Sequence, residues 1–108
     1  MSLSTHVLDA TTGTPAAAIA VRAESRIDGS WQPGTEAVTD ADGRIRDLGH
    51  PAAGTHRLTF DTGGYFARRG VAAFYPEVTV TFQVTDPEAH HHVPLLLSPF
   101  AYSTYRGS

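Results

Sequence analysis

The sequence predicts an all-β protein, built as a sandwich or a barrel of about eight short strands. Apolar and polar residues alternate along most of the chain, turn-forming residues separate these runs, and only residues 61–70 break the alternation. At 108 residues the chain has room for one domain, residues 1–108. So small a chain has little core volume to enclose a ligand, and we expect any site to be shallow or shared between subunits.

Each predicted strand rests on an alternation of period two, which places every second side chain on the same face. The clearest run is 78–85, where four apolar residues alternate with Thr and Gln. Turn signals that contain Gly, Pro, Asp, Thr or Ser lie between the runs, at residues 12–15, 28–29, 32–34, 42–43 and 98–99. The predicted strands are residues 3–8, 19–24, 36–39, 44–48, 55–60, 78–85, 90–97 and 101–105.

Residues 61–70 are predicted to hold a short helix of at most two turns. Asp61 or Thr62 has the side-chain oxygen that caps a helix N-terminus, and Gly70 is suited to end it. Three aromatic residues, Phe100, Tyr102 and Tyr105, lie near the chain end. Disordered tails are poor in aromatic residues, so we expect this end to dock on the fold through them.

The composition excludes several classes of function. A hydrophobic share of 41%, a charged share of 18% and a net charge of −3 are typical of a soluble globular protein, with no basic surface for nucleic acid. The chain has no Cys, which removes disulfides and thiolate chemistry. Its longest run of small apolar residues, 16–21, is too short to span a membrane, and no secretory leader is recognisable, so we expect a cytoplasmic protein.

Six histidines in a chain of this length need an explanation. In the predicted strand 90–97, alternation sends Val93 and its apolar partners to the core and turns His90 and His92 outward together. Pro94 cannot donate a backbone hydrogen bond, so this strand is expected at an edge or with a bulge. The two imidazoles are either surface or interface residues, or a zinc-type pair that His6 would complete.

Arg44 follows the predicted turn at residues 40–43. A left-handed Gly43 would turn Arg44 out of the regular pleat, where its planar guanidinium can hold a carbonyl-rich or anionic ligand. The alternative is a solvated charge on a hairpin. The Asp-x-Asp-Gly sequence of this turn resembles the start of a calcium loop, but the later ligands are missing and a β-turn is favoured.

Five motifs together carry a family resemblance: THVLD at 5–9, TDADGR at 39–44, FYPEV at 74–78, HVPLLLSP at 92–99 and YSTYRGS at 102–108. With them the chain resembles the 5-hydroxyisourate hydrolases, transthyretin-related enzymes of urate breakdown. The similarity extends from the first predicted strand to the last residue. The closing Tyr-Arg-Gly-Ser is the ending that separates these hydrolases from the hormone-carrying transthyretins.

This resemblance implies a transthyretin-like two-sheet sandwich that assembles as a homotetramer, a dimer of dimers with its sites in the channel between dimers. The implied reaction is hydrolysis of a purine derivative, 5-hydroxyisourate, to 2-oxo-4-hydroxy-4-carboxy-5-ureidoimidazoline, with no metal or other cofactor. A ligand carrier of the same fold is the competing class. The implied catalytic residues, which also bind substrate, are His6, Arg44, His92 and Ser108, with Tyr105 lining the site.

Chemistry assigns roles within this implied set. A neutral imidazole can deprotonate water, and a nearby guanidinium helps to keep it neutral, so His6 or His92 is the expected base and Arg44 the group that binds substrate oxygen. Ser108 would orient the water or the imidazole. The chain departs from its relatives at His91, where an aromatic residue is usual, and we expect His90 and His91 to lie near the surface between dimers.

Overall fold

The computed structural model describes residues 2–108, and it confirms the all-β prediction as a two-sheet sandwich. In this part of the chain there are nine strands and one helix. In chain order they are β1 (Leu3–Asp9), β2 (Thr14–Pro15), β3 (Ala20–Ile27), β4 (Ser30–Val38), β5 (Arg44–Ile45), β6 (Gly54–Phe60), α1 (Thr62–Arg68), β7 (Val78–Val84), β8 (His91–Leu97) and β9 (Tyr102–Thr104). Within residues 2–108 no helix has the length and apolar character to cross a membrane.

The first sheet has the strand order β2-β1-β8-β9, with β5 also paired to β1. β1 and β8 run parallel and in register over their whole lengths, from Leu3 opposite His91 to Asp9 opposite Leu97. The second sheet is antiparallel, in the order β4-β3-β6-β7. Apolar side chains from both sheets, among them Val7, Leu95 and Phe60, are fully buried between them. On the other face of the first sheet, the polar side chains Ser4, His6 and His92 lie beside the apolar Leu8, Pro94 and Leu96.

The helix lies where the break in alternation predicts it. Asp61 caps it by accepting a hydrogen bond from the Gly64 amide at 3.1 Å, and Gly70 follows it in the left-handed region at φ 68°. The helix buries Tyr65, whose hydroxyl donates to Asp9 Oδ2 at 2.8 Å. Burial and this bond raise the pKa of Tyr65 to about 12. The bond ties the helix to the end of β1.

β4 is longer than predicted, since residues 30–38 pair with β3 where only 36–39 were expected. The predicted turn at 32–34 lies inside this strand. Here the pairing register with β3 shifts between Arg22 and Glu24, and Gly34 passes the Ala23 carbonyl so closely that a Cβ atom would lie 2.9 Å from its oxygen. A β-bulge thus accommodates the turn-forming residues 32–34 within the strand. β5 is shorter than predicted and ends at Ile45.

The prediction that Pro94 marks an edge or bulged strand is wrong, because β8 lies between β1 and β9 in regular register. Pro94 instead interrupts the neighbouring strand. β9 pairs with β8 only up to Thr104, opposite Leu95, and pairing resumes as a single bridge between His92 and Gly107. The Thr104 hydroxyl donates to the Pro94 carbonyl at 2.6 Å in this gap. The missing backbone donor of Pro94 therefore shortens β9 instead of placing β8 at an edge.

The chain end docks on the fold, and of its aromatic residues Tyr102 packs edge-on against Tyr75 with ring centroids 5.2 Å apart. Phe100, Tyr102 and Tyr105 are 68%, 42% and 60% exposed. Backbone pairing also holds this segment, through β9 and through the Gly107 amide, which donates to the His92 carbonyl at 2.9 Å. The last two residues are consequently fixed beside His92.

Candidate active site

The outer face of the first sheet brings together residues that lie far apart in the sequence. Ser4 and His6 alternate with core residues on β1, so both point outward. The strand registers place His92 on β8 opposite Ser4 and Arg44 on β5 opposite His6. Three strands therefore supply one cluster of two imidazoles, a guanidinium and a hydroxyl.

A cavity of about 240 Å³ opens beside this cluster. It is lined by Ser4, Thr5, Arg44, Ile45, Arg46, His90, His92 and Ser108. A larger depression of about 390 Å³ lies on the second sheet, but Arg22, Glu36 and Glu77 line it without any histidine or serine. Of these two, the smaller cavity combines a possible base with cationic and hydroxyl groups.

His92 is held on two sides. The Ser4 hydroxyl lies 2.7 Å from its Nδ1, and within residues 2–108 its other ring nitrogen, Nε2, has no hydrogen-bond partner. Its ring rests on Gly107, where a Cβ atom would lie 2.4 Å from the imidazole Cδ2. Only glycine fits at that position without moving the ring. His92 thus presents one free ring nitrogen in a fixed orientation.

The surroundings keep His92 neutral. Its pKa is lowered from the ordinary value of 6.5, first by burial and then by the neighbouring charges of His90, Arg44 and His6. Burial penalises the charged form of an imidazole, and nearby cations do the same. At neutral pH this side chain is therefore a proton acceptor.

Gly43, in the turn before β5, is left-handed as predicted, and Arg44 then pairs in register with His6. Gly43 has φ 74°, and a Cβ atom there would lie 2.4 Å from the Val7 carbonyl oxygen. The Asp40 carboxylate accepts hydrogen bonds from the Asp42 and Arg44 amides at 2.9 and 3.0 Å. These bonds, with that from the Arg44 amide foremost, lower the pKa of Asp40. A charged, well-ordered β-turn thus fixes where Arg44 leaves the backbone.

The same turn restrains His6. The Nε2–H group of His6 donates to the Asp42 carbonyl at 3.0 Å, so this ring nitrogen carries a proton. His6 stands next to Arg44 across the β1–β5 pair, on the face that bears the cavity. It differs from His92, whose Nε2 is free.

Among the residues expected from the sequence, the structure brings His6, Arg44, His92 and Ser108 to this face, and Tyr105 lies apart. Tyr105 lines a neighbouring apolar groove of about 240 Å³, between Phe82 of the second sheet and His92. The groove and the cavity have one lining residue in common, His92.

Three residues at the site have no counterpart in the sequence interpretation. Ser4 supports His92, Gly107 seats its ring, and Arg46 lines the cavity. Arg46 was detectable, because it lies two residues after Arg44 on a predicted strand and so shares its face. Ser4 carried the same signal, because it lies two residues before His6 on the predicted strand 3–8, whereas the role of Gly107 depends on which strands pair.

We expected His91 to lie near the surface with His90, but it does not. It is 6% exposed, turned inward at the start of β8, and its Nδ1 bonds the Ala89 carbonyl at 3.0 Å. His90 is exposed and close to His92, with ring centroids 6.4 Å apart. Across residues 2–108 no three His, Asp or Glu side chains are grouped so as to hold a metal ion, and the zinc alternative of His6, His90 and His92 is not formed.

Comparison with known proteins identifies the family of the chain. Residues 3–107 match the HIUase/Transthyretin family. The curated 5-hydroxyisourate hydrolase of Salmonella dublin is 44% identical over 109 residues, which cover 98% of this chain and 80% of that protein.

Solved structures give the same fold. The 5-hydroxyisourate hydrolase of Klebsiella pneumoniae superposes with a TM-score of 0.85 and 38% identity, covering 99% of this chain and 93% of that one. Sea bream transthyretin, solved in complex with thyroxine, superposes with a TM-score of 0.93 and 36% identity over 99% and 95% of the two chains. The overall fold therefore does not distinguish a hydrolase from a ligand-binding transthyretin. The side chains at the site have to make that distinction.

Proposed function

The chain belongs to the HIUase/Transthyretin family, and we propose that its residues 1–108 form one hydrolase domain that opens the ring of 5-hydroxyisourate with water. The product is 2-oxo-4-hydroxy-4-carboxy-5-ureidoimidazoline, in the breakdown of urate. Curated relatives with this activity match nearly the whole chain. The observation that carries the proposal is a neutral His92 with a free Nε2, facing a cavity that also holds Arg44 and Ser108.

His92 is the general base in this proposal. Its lowered pKa keeps the ring unprotonated at neutral pH, and its unpartnered Nε2 can accept a proton from water. The equivalent nitrogen of His6 already donates to the Asp42 carbonyl. His6 therefore acts beside Arg44 as a polar group that binds and orients the substrate.

Arg44 and Arg46 supply positive charge to the cavity. A guanidinium offers a planar set of donors to carbonyl oxygens and stabilises the negative charge that develops on a carbonyl oxygen under attack. The same charge holds the carboxylate that the reaction forms. Ser108, placed by the Gly107 bridge, contributes a hydroxyl and the terminal carboxylate for orienting water.

Assembly and location stay proposals. A homotetramer with the first-sheet faces opposed would close these open cavities and exclude water from them. The exposed Tyr105 would then approach the substrate from the rim of the cavity, next to His92. We propose the cytoplasm as the site of action, as the sequence suggests.

A thyroxine-type carrier is the second candidate, because sea bream transthyretin shares the fold so closely. Two arginines, two histidines and a chain terminus are costly to desolvate in a channel built for a hydrophobic ligand. They are the groups that hydrolysis of a polar ring requires. The polarity of the cavity favours the enzyme.

The decisive test is a stopped-flow assay on freshly prepared 5-hydroxyisourate, following its absorbance with and without the protein. We expect His6→Ala, Arg44→Ala and His92→Ala each to lower the rate by well over tenfold, since a general base alone contributes about 10²–10⁴-fold. A strong chelator should leave the rate unchanged. Decay no faster than in buffer, for the folded wild-type protein, would leave the carrier as the better account.

A further inference from the structure

Three short hydrogen bonds link two serines and two histidines at the edge of the cavity. Ser2 Oγ lies 2.8 Å from His90 Nδ1, and Ser4 Oγ lies 3.0 Å from His90 Nε2. Ser4 Oγ also lies 2.7 Å from His92 Nδ1. These four residues, which we name the Ser–His chain, run without a break from the cavity to the exposed ring of His90.

The three bonds of the Ser–His chain can all point in the same direction, and a proton relay requires that they do. A hydroxyl has a single hydrogen, and a neutral imidazole has one N–H group and one lone pair. In the first polarity His92 Nδ1–H donates to Ser4, Ser4 donates to His90 and His90 donates to Ser2. The lone pair of His92 is then at Nε2, on the free side of the ring. In the reverse polarity Ser4 donates to His92 Nδ1, and Nε2 carries the proton.

We propose that the Ser–His chain is a proton wire, which holds His92 as a base at Nε2 and carries the product proton to solvent through His90. Ser4 is its positioning residue, since its hydroxyl bonds both rings. The inference rests on the proposed hydrolysis and adds an exit for protons that this reaction generates.

The reaction produces one proton for each substrate. Water forms a C–O bond, the ring C–N bond breaks, and one of the two water protons ends on the leaving nitrogen. The other belongs to a new carboxylic acid, which ionises well below neutral pH. His92 Nε2 takes the first proton and returns it to the nitrogen, then takes the second. His92 then gives its Nδ1 proton to Ser4, the Ser–His chain reverses polarity and one proton leaves through His90, so that His92 is neutral with its proton on Nε2. Loss of that Nε2 proton to solvent and return of a proton along the chain to Nδ1 restore the base for the next turnover.

The charges around His92 make such an exit necessary. His6 and Arg44 lie on β1 and β5, Arg46 lines the same cavity, His90 lies just before β8, and the Ser108 carboxylate provides the local negative charge. Cations within a few ångströms oppose a lasting positive charge on the ring. A proton accepted by His92 must therefore move on quickly.

The contribution of proton exit can be tested by replacing His90 with a residue that can hydrogen-bond to Ser4 but cannot take up and release a proton. In His90→Gln the amide can still contact Ser4, and we expect kcat in dilute buffer to fall about tenfold or more with KM unchanged. Added imidazole should restore kcat by carrying the proton instead. Ser25→Ala is the matched control, because Ser25 bonds His56 at 3.0 Å on the other sheet, and it should keep the wild-type rate.

An equal kcat for His90→Gln and wild type in dilute buffer, or a loss that imidazole does not reverse, would overturn the wire. The second measurement needs no substrate. Nitrogen-15 NMR of the imidazoles should find the His92 proton on Nδ1 in the resting wild type and on Nε2 in Ser4→Ala. A resting wild type protonated at Nε2 would contradict the inference. Wild type that fails to hydrolyse 5-hydroxyisourate would refute the proposed function instead.

Discussion

Replacing Gly107 with alanine tests how closely His92 must be placed. A Cβ atom at residue 107 would lie 2.4 Å from His92 Cδ2, 3.1 Å from Cγ and 3.2 Å from Cβ. Optimal contact between carbon atoms is about 3.5 Å. The ring or the chain end must therefore move by about 1 Å. Backbone bonding between Gly107 and His92 limits how far the chain end can retreat, so the ring takes part of the displacement.

A displacement of about 1 Å at a catalytic group can cost about 10²-fold in rate. We expect Gly107→Ala to lose this much in kcat/KM for 5-hydroxyisourate, measured by stopped-flow absorbance. The free energy of unfolding should change little, because residue 107 lies outside the core between the sheets. Thermal unfolding followed by circular dichroism checks that second expectation.

The control is Gly29→Ala, in the turn between β3 and β4. There φ is 78° and nothing lies within 4 Å of an added Cβ, so the change brings backbone strain of about 1–2 kcal/mol and no clash. It should lower the unfolding temperature and leave the rate intact. If kcat/KM of Gly107→Ala stays within threefold of wild type, close contact between residue 107 and the His92 ring is not needed for catalysis.

Three further predictions concern pH, the core and the chain end. Burial first and neighbouring cations second lower the pKa of His92 below 6.5. The neutral imidazole is the active form above that pKa and is lost as the pH drops through it. A pH–rate profile should therefore show a constant kcat/KM down to a pH below 6.5, and a fall beyond it. Tyr65→Phe should cost about 1–3 kcal/mol in denaturant unfolding without changing the rate, since Asp9 Oδ2 loses a buried donor. Deleting residues 105–108 should abolish turnover while the sandwich still unfolds cooperatively, and retained turnover would remove Ser108 from the mechanism.

Local chemistry predicted the local features of the fold. Alternation located β7 to within one residue, and Gly43 predicted the turn before Arg44. The side-chain oxygens of Asp61 and Thr62 predicted the helix start, and the structure shows Asp61 as the cap. In each case neighbouring residues in the sequence determine the conformation. The resemblance supplied the remaining site residues, which spacing alone did not distinguish from surface polar groups.

Features that depend on strand pairing were beyond the sequence. Nothing near Ser4 indicates that it will lie opposite His92, and nothing near Pro94 indicates that a third strand will stop beside it. His91 shows the same limit, because alternation fixed that it faces away from His92 but not that the core extends to the strand's first residue. Alternation gives the face of a side chain, and only the assembled sheet gives its neighbours.

The parallel pairing of β1 with β8 also affects how the protein is made. Thr5 and Val93, joined by a 2.7 Å bond, are 88 residues apart. At a ribosomal rate of roughly 5–20 residues per second, about 4–18 s pass between the synthesis of β1 and that of its partner strand β8. During that time an apolar strand has an unpaired edge, and long-range pairing of this kind also slows folding. The nascent chain is therefore most exposed to aggregation just before the residues that complete the site emerge.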